Sequence, residues 1–136
     1  MFLVPTFLQK SPVHGVGVFA ARDLPAGTLI WEFTPGVDWE IMPDELDAFP
    51  EPYQSQMRAW CYLDEAGYYV FCGDNGKFMN HSDAPNCDDP PDRTTVTNRD
   101  VRAGEELTCD YRTFDRETAE KGFDFELAGG HDGSSR

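Results

Sequence analysis

Basic residues are scarce in this sequence: 11 Lys and Arg stand against 25 Asp and Glu, for a net charge of −14. That balance excludes recognition of a phosphate backbone by a basic footprint and favours a cationic partner. Cysteine is equally uninformative as a metal signal, because Cys61, Cys72, Cys87 and Cys109 include no two-residue spacing. Neither a zinc ribbon nor a thioredoxin-like pair is written here, and free thiols in a reducing, cytoplasmic compartment are expected. Long apolar runs are missing as well. Met1 to Leu8 is apolar but short, lacks a basic lead and is interrupted by Pro5, so it reads as a first strand rather than an export signal or a membrane span. Without export, the glycosylation match at Asn80-His81-Ser82 has little meaning, and action in a host nucleus is not indicated.

What is present is a foldable chain. At 136 residues, 40% hydrophobic and 13% aromatic, it has enough apolar surface for one core and too many rings for a disordered acidic tail.

Short alternating segments dominate and predict a mainly β protein with few short helices. Leu29, Trp31 and Phe33 share one face of a strand starting near Thr28, and Leu107, Cys109 and Tyr111 do the same near the other end. Tyr68 to Cys72 reads as a strand, and Asp74-Asn75-Gly76 after it is a hairpin turn signal. Pro43-Asp44-Glu45 suits the first turn of a short helix, which Pro50 and Pro52 end. Tyr53, Met57 and Trp60 recur at helical spacing as core positions of a second helix, before a strand around Tyr62. Arg22-Asp23-Leu24-Pro25-Ala26-Gly27 is echoed by Arg99-Asp100-Val101-Arg102-Ala103-Gly104, which suggests two similar turn-plus-strand units.

Four clusters could carry chemistry. In His14-Gly15-Val16-Gly17-Val18-Phe19-Ala20 the glycines let backbone approach a ligand, or simply mark a bend. Phe78-Met79-Asn80-His81-Ser82-Asp83, with Asp88 and Asp89 following, is open to two readings. His81 with Asp83, Asp88 or Asp89 could hold zinc or magnesium; the preferred reading is a turn whose Asn80 and His81 hold a ligand or satisfy neighbouring backbone. Gly104-Glu105-Glu106 is a solvated turn feeding the strand that carries Cys109 and Tyr111. Asp38, Glu40, Asp44, Glu45, Asp47 and Glu51 form an acidic window, a solvated face able to steer a basic peptide.

The order of these clusters is more specific than any one of them. Gly15 to Ala20, then Phe78 to Ser82 with Pro85-Asn86, then Gly104-Glu105-Glu106-Leu107-Thr108 ending at Asp110-Tyr111, resembles the SET-domain protein lysine methyltransferases over roughly residues 12 to 112. The resemblance implies a β-clip fold of several small sheets with a knot-like C-terminal arrangement, a catalytic domain over residues 1–112, and a lid segment and flexible tail over 113–136. It implies S-adenosylmethionine held by Gly15, Val16, Gly17, Val18, Phe78, Asn80 and His81, and no metal. It casts Tyr111 as the active-site tyrosine and Tyr62, with Cys109, as a further lining residue of the lysine channel. The substrate would be a basic, Lys-containing protein or peptide. A catalytically idle module that binds such a partner is the alternative, and a metal-dependent hydrolase a more distant one.

Two departures from the family pattern matter. Asp83 stands where many relatives have cysteine, and no cysteine follows Cys109 in these 136 residues, so no zinc-binding closure is expected. Phe114, Phe123 and Phe125 are then the available rings, with Phe123 or Phe125 expected on the adenine; a homodimer could supply closure instead. Cys109 occupies a position where relatives often carry a larger ring, which leaves room for more than one methyl group.

Overall fold

Turn residues cut the chain into short pieces, and the computed structural model, which describes residues 1–117, contains strands of at most five residues. Chain order is β1 (Thr6–Lys10), β2 (Val16–Ala20), β3 (Leu29–Glu32), β4 (Trp39–Ile41), α1 (Pro43–Asp47), α2 (Tyr53–Trp60), β5 (Tyr62–Leu63), β6 (Tyr69–Phe71), β7 (Asn80–His81), β8 (Cys87–Asp88), β9 (Thr94–Thr97) and β10 (Thr108–Cys109). These form the small sheets β1-β2, β3-β9-β8, β4-β6-β5 and β7-β10, of which only the last is parallel. The mainly β reading therefore holds. No helix among the described residues is long and apolar enough to cross a membrane.

Two apolar clusters hold the sheets together. Val18, Ile30 and Leu107, each with no exposed surface, centre the larger one; Leu46, Met57, Cys61 and Tyr69 form the smaller one beneath the helices. Each fully buried aliphatic side chain contributes about 1.5–3 kcal/mol. Helix α1 starts as its sequence predicts, with Pro43 in the first turn and the Glu45 carboxylate accepting the Met42 N–H at 3.0 Å. On α2 only Met57 of the expected apolar set is core; Tyr53 is 46% exposed and meets Phe49 edge-on.

The sequence echo is a physical pairing. Leu24 and Val101 bridge each other, with N–H to carbonyl distances of 2.7 and 2.8 Å. Around them the contacts repeat in exchange: Asp100 accepts the Ala26 N–H and Asp23 the Ala103 N–H, while Gly27 donates to Thr97 and Gly104 to Ala20. Gly27 and Gly104 have φ of +81° and +89°, the left-handed turn that glycine makes without steric cost.

Several local expectations are corrected. The first strand begins at Thr6 rather than Met1, since Pro5 has no N–H for a ladder. Leu29 and Trp31 do not share a face: the register shifts between them, leaving Leu29 39% exposed while Ile30 and Trp31 are both buried. Asp74-Asn75-Gly76 does not close a hairpin. Asp74 instead caps a 3-10 turn over Asn75–Phe78 by accepting the Gly76 N–H, and its other oxygen accepts the N–H of Phe2. The acidic window is not one free face either. Asp38 is buried, accepting from the Met1 ammonium, Thr34 N–H and Gly73 N–H, and Glu40 and Asp47 pair with Arg93 and Arg58.

Candidate active site

A cavity of about 800 Å³ lies where the β4-β6-β5 and β3-β9-β8 sheets face the end of β10, and it is lined by Tyr62, Cys109, Tyr111 and Phe114 among others. The three rings meet edge-on, with Tyr62 and Phe114 centroids 5.0 Å apart and Tyr111 and Phe114 5.9 Å apart. Phe114 is positioned because the chain after it joins the edge of β5: Asp115 accepts the Leu63 N–H, and Arg116 N–H donates to the Leu63 carbonyl. Burial pushes the phenol of Tyr62 and the thiol of Cys109 well up, so both stay protonated.

Tyr111 reaches this cavity by a different route from strand alternation. Strand β10 stops at Cys109, and Asp110 caps a 3-10 turn, Tyr111–Thr113, by accepting the Arg112 N–H at 3.0 Å. The Tyr111 N–H donates to His81 Nδ1 at 3.1 Å, and its hydroxyl donates to the Met79 carbonyl at 2.5 Å. Because Nδ1 accepts, the His81 proton sits on Nε2, which points at Asp83 at 2.9 Å. His81 is 1% exposed, so both its ring nitrogens serve the wall of the site. No group of three or more His, Cys, Asp or Glu that could hold a metal occurs among the described residues.

The glycine strand and the Asn-His segment are tied by one side chain. Asn80 Nδ2 donates to the His14 and Val16 carbonyls at 3.0 and 3.3 Å and to Glu106 at 2.9 Å. Glu106 also accepts from Ser11 Oγ at 2.8 Å. A Cβ on Gly17 would lie 2.2 Å from the same carboxylate, so the missing side chain there makes room for Glu106. Glu106 is thus half-buried and structural, which corrects its reading as a solvated turn; its partners are distant in sequence and only the fold brings them together. Asn86, 2% exposed, holds β10 by accepting the Thr108 N–H and donating to the Glu106 carbonyl.

The expected residues fall into two groups. Tyr62, Cys109 and Tyr111 share the cavity. Gly15, Val16, Gly17, Val18, Asn80 and His81 gather around β2 and β7, with Phe78 in the 3-10 turn that packs on β2. Gly15 and Val16 are exposed there, whereas Val18, Asn80 and His81 are buried. Phe123 and Phe125 lie outside the described residues, as does most of the lid and tail expected over 113–136.

The SET domain family model matches residues 15–112, and the chain belongs to that family. It is 27% identical over 117 residues to the human histone-lysine N-methyltransferase 2D, covering 78% of this chain and 2% of that protein. It is 30% identical over 115 residues to the H3 lysine-4 specific histone-lysine N-methyltransferase of Mycosarcoma maydis, covering 76% of this chain and 8% of that one. The chain therefore spans a small part of the curated relatives it matches. Among solved structures, a humanized mutant of the Chaetomium thermophilum Polycomb Repressive Complex 2 superposes with TM-score 0.63 at 24% identity, over 85% of this chain and 16% of that one. A Plasmodium falciparum protein assigned as a histone methyltransferase gives TM-score 0.58 at 18% identity, over 79% of this chain and 93% of that one.

Proposed function

We propose that this chain transfers methyl groups from S-adenosylmethionine to the side-chain nitrogen of lysine in a basic protein segment. The observation that carries the reading is the cavity walled by Tyr62, Tyr111 and Phe114, with Tyr111 fixed at both its N–H and its hydroxyl. When bound, the cofactor supplies an electrophilic methyl on a sulfonium. The residues present fit such a nucleoside with an amino-acid arm: the exposed residues Gly15 and Val16, the half-buried Phe78, and the Lys77 ammonium 5.2 Å from that ring. Gly17, Val18, Asn80 and His81 would hold that wall in shape from behind.

The substrate nitrogen must be neutral to react, although a free lysine has a pKa near 10.4. An apolar aromatic wall disfavours the ammonium and lowers that value. Alignment supplies much of the rest, since holding two reactants in line is worth about 7–11 kcal/mol of barrier. Tyr111, whose hydroxyl donates to the Met79 carbonyl and is thereby fixed in place, acts as an orienting group for the amine. Ring faces at Tyr62 and Tyr111 can also hold a methylated cation.

Among the described residues six carboxylates line the cavity (Glu40, Asp64, Glu65, Asp89, Asp92, Asp115) against two cations, Lys77 and Arg93, which suits a Lys-rich segment. A histone-type tail is the first substrate to try. Calorimetric binding of S-adenosylmethionine together with labelling of such a peptide tests the reading. Peptide binding without cofactor binding would instead make the chain an idle module.

A further inference from the structure

One acceptor is left over within the wall of the cavity. Asp89 Oδ1 accepts from Thr95 Oγ1 at 2.7 Å, but its Oδ2 is buried with no hydrogen-bond partner among the described residues. Thr95 is 4% exposed and stands on β9 opposite Trp31, so the carboxylate is anchored on one oxygen by a rigid strand. Asp89 lines the same cavity as Tyr62, Cys109 and Tyr111, and its negative charge helps to raise both the Tyr62 phenol and the Cys109 thiol. A buried acceptor without a donor is unfavourable. An arriving ammonium, with three N–H donors, is the chemistry that satisfies it.

We propose that Asp89 receives the ammonium of the incoming lysine and takes up its surplus proton. This rests on the methyl-transfer reading above. One N–H bond of the substrate breaks, its electron pair stays on nitrogen, and an O–H bond forms on Asp89 Oδ2, leaving a neutral amine beside a neutral carboxyl. The proton later returns to solvent. Burial drives the exchange from both sides, because it disfavours the charged form of either partner.

The remaining groups around Asp89 support that direction. Burial pushes its carboxyl up to about 6, with Asp88 and Asp110 adding to the rise and the Thr95 hydrogen bond opposing it. Asp88 accepts from Asn98, and Asp110 is engaged by Arg112, so neither duplicates the role. Cys87, Cys109 and Tyr62 face it as neutral groups, and Arg93 is held by Glu40 and Asp64.

The experiment compares wild type, Asp89→Asn and Thr95→Val in two readouts. First, a Lys peptide is titrated calorimetrically in buffers of different ionisation enthalpy. Wild type should bind it with little net proton release, while Asp89→Asn should release close to one proton or bind more weakly. Second, kcat/KM is followed against pH. Asp89→Asn should fall roughly 100-fold near neutrality, with the gap closing as pH approaches about 10, where solution deprotonates the lysine. Thr95→Val should shift the acid limb upward in pH. An active wild type with an Asp89→Asn variant of the same proton count and pH profile overturns the assignment alone. A wild type that binds cofactor and peptide yet transfers no methyl overturns the functional reading, and this assignment with it.

Discussion

His81 and Tyr111 are locked together: the imidazole Nδ1 accepts the Tyr111 backbone N–H at 3.1 Å, and the two rings meet edge-on with centroids 5.4 Å apart. The histidine therefore sets where the tyrosine stands without itself facing the cavity. His81→Ala should lower stability by about 2–4 kcal/mol, from the cavity it leaves and the stranded Tyr111 N–H. It should also reduce methyl transfer further than it reduces cofactor binding. Denaturant melts and calorimetry on the same preparation check both.

Gly17 and Glu106 form a second coupled pair. A methyl on Gly17 collides with the carboxylate that Asn80 and Ser11 donate to, so Gly17→Ala should cost roughly 1–3 kcal/mol. Glu106→Ala alone should cost a similar amount by stranding those donors. The double variant should be more stable than the sum of the two losses allows, because the clash disappears with the acid. A double-mutant cycle by urea unfolding measures the coupling.

Much of this was readable in advance, for identifiable reasons. The Arg-Asp-aliphatic echo carries its meaning locally, since a left-handed glycine and a carboxylate for the facing N–H recur in each unit. Asn80, His81, Asn86 and Tyr111 stood out as a resemblance, and the structure ties Asn80, His81 and Asn86 into the walls around Tyr111. What was not legible depended on partners far along the chain. Asp38 and Glu106 look like surface acids until the Met1 ammonium and Asn80 meet them. Asp74-Asn75-Gly76 has hairpin chemistry, but β7 pairs with β10, a partner no local turn can supply.

Cys109 is 3% exposed and lines the cavity with a side chain smaller than the rings around it. Wild type should add more than one methyl group to a lysine at saturation. Cys109→Phe should stop at one by filling that space. Intact-mass spectra of the peptide product distinguish the two; a wild type confined to monomethyl product contradicts the expectation.

The Asp89 carboxyl also marks the pH dependence of folding. Its native value of about 6 lies above the ordinary 3.8, so the native state holds the proton more tightly. Its contribution to stability therefore falls as pH rises from about 4 to about 6 and is then constant, a loss of order 1–3 kcal/mol. Asp64 and Asp110, held below the usual range chiefly by Arg93 and Arg112, act oppositely and only at lower pH. Melts of wild type and Asp89→Asn across that window should converge at the acid end and separate above it, with wild type the less stable.

In the proposed function, this SET domain aims a lysine nitrogen with Tyr111 for methyl transfer. Incubation of wild type and Tyr111→Phe with S-adenosylmethionine and a Lys-rich histone-type peptide, followed by intact-mass analysis, tests it most directly. Methylated peptide is expected from wild type, with a rate at least about tenfold lower from Tyr111→Phe at unchanged cofactor affinity, equivalent to about 1.4 kcal/mol of barrier. Equal rates from the two proteins would contradict it.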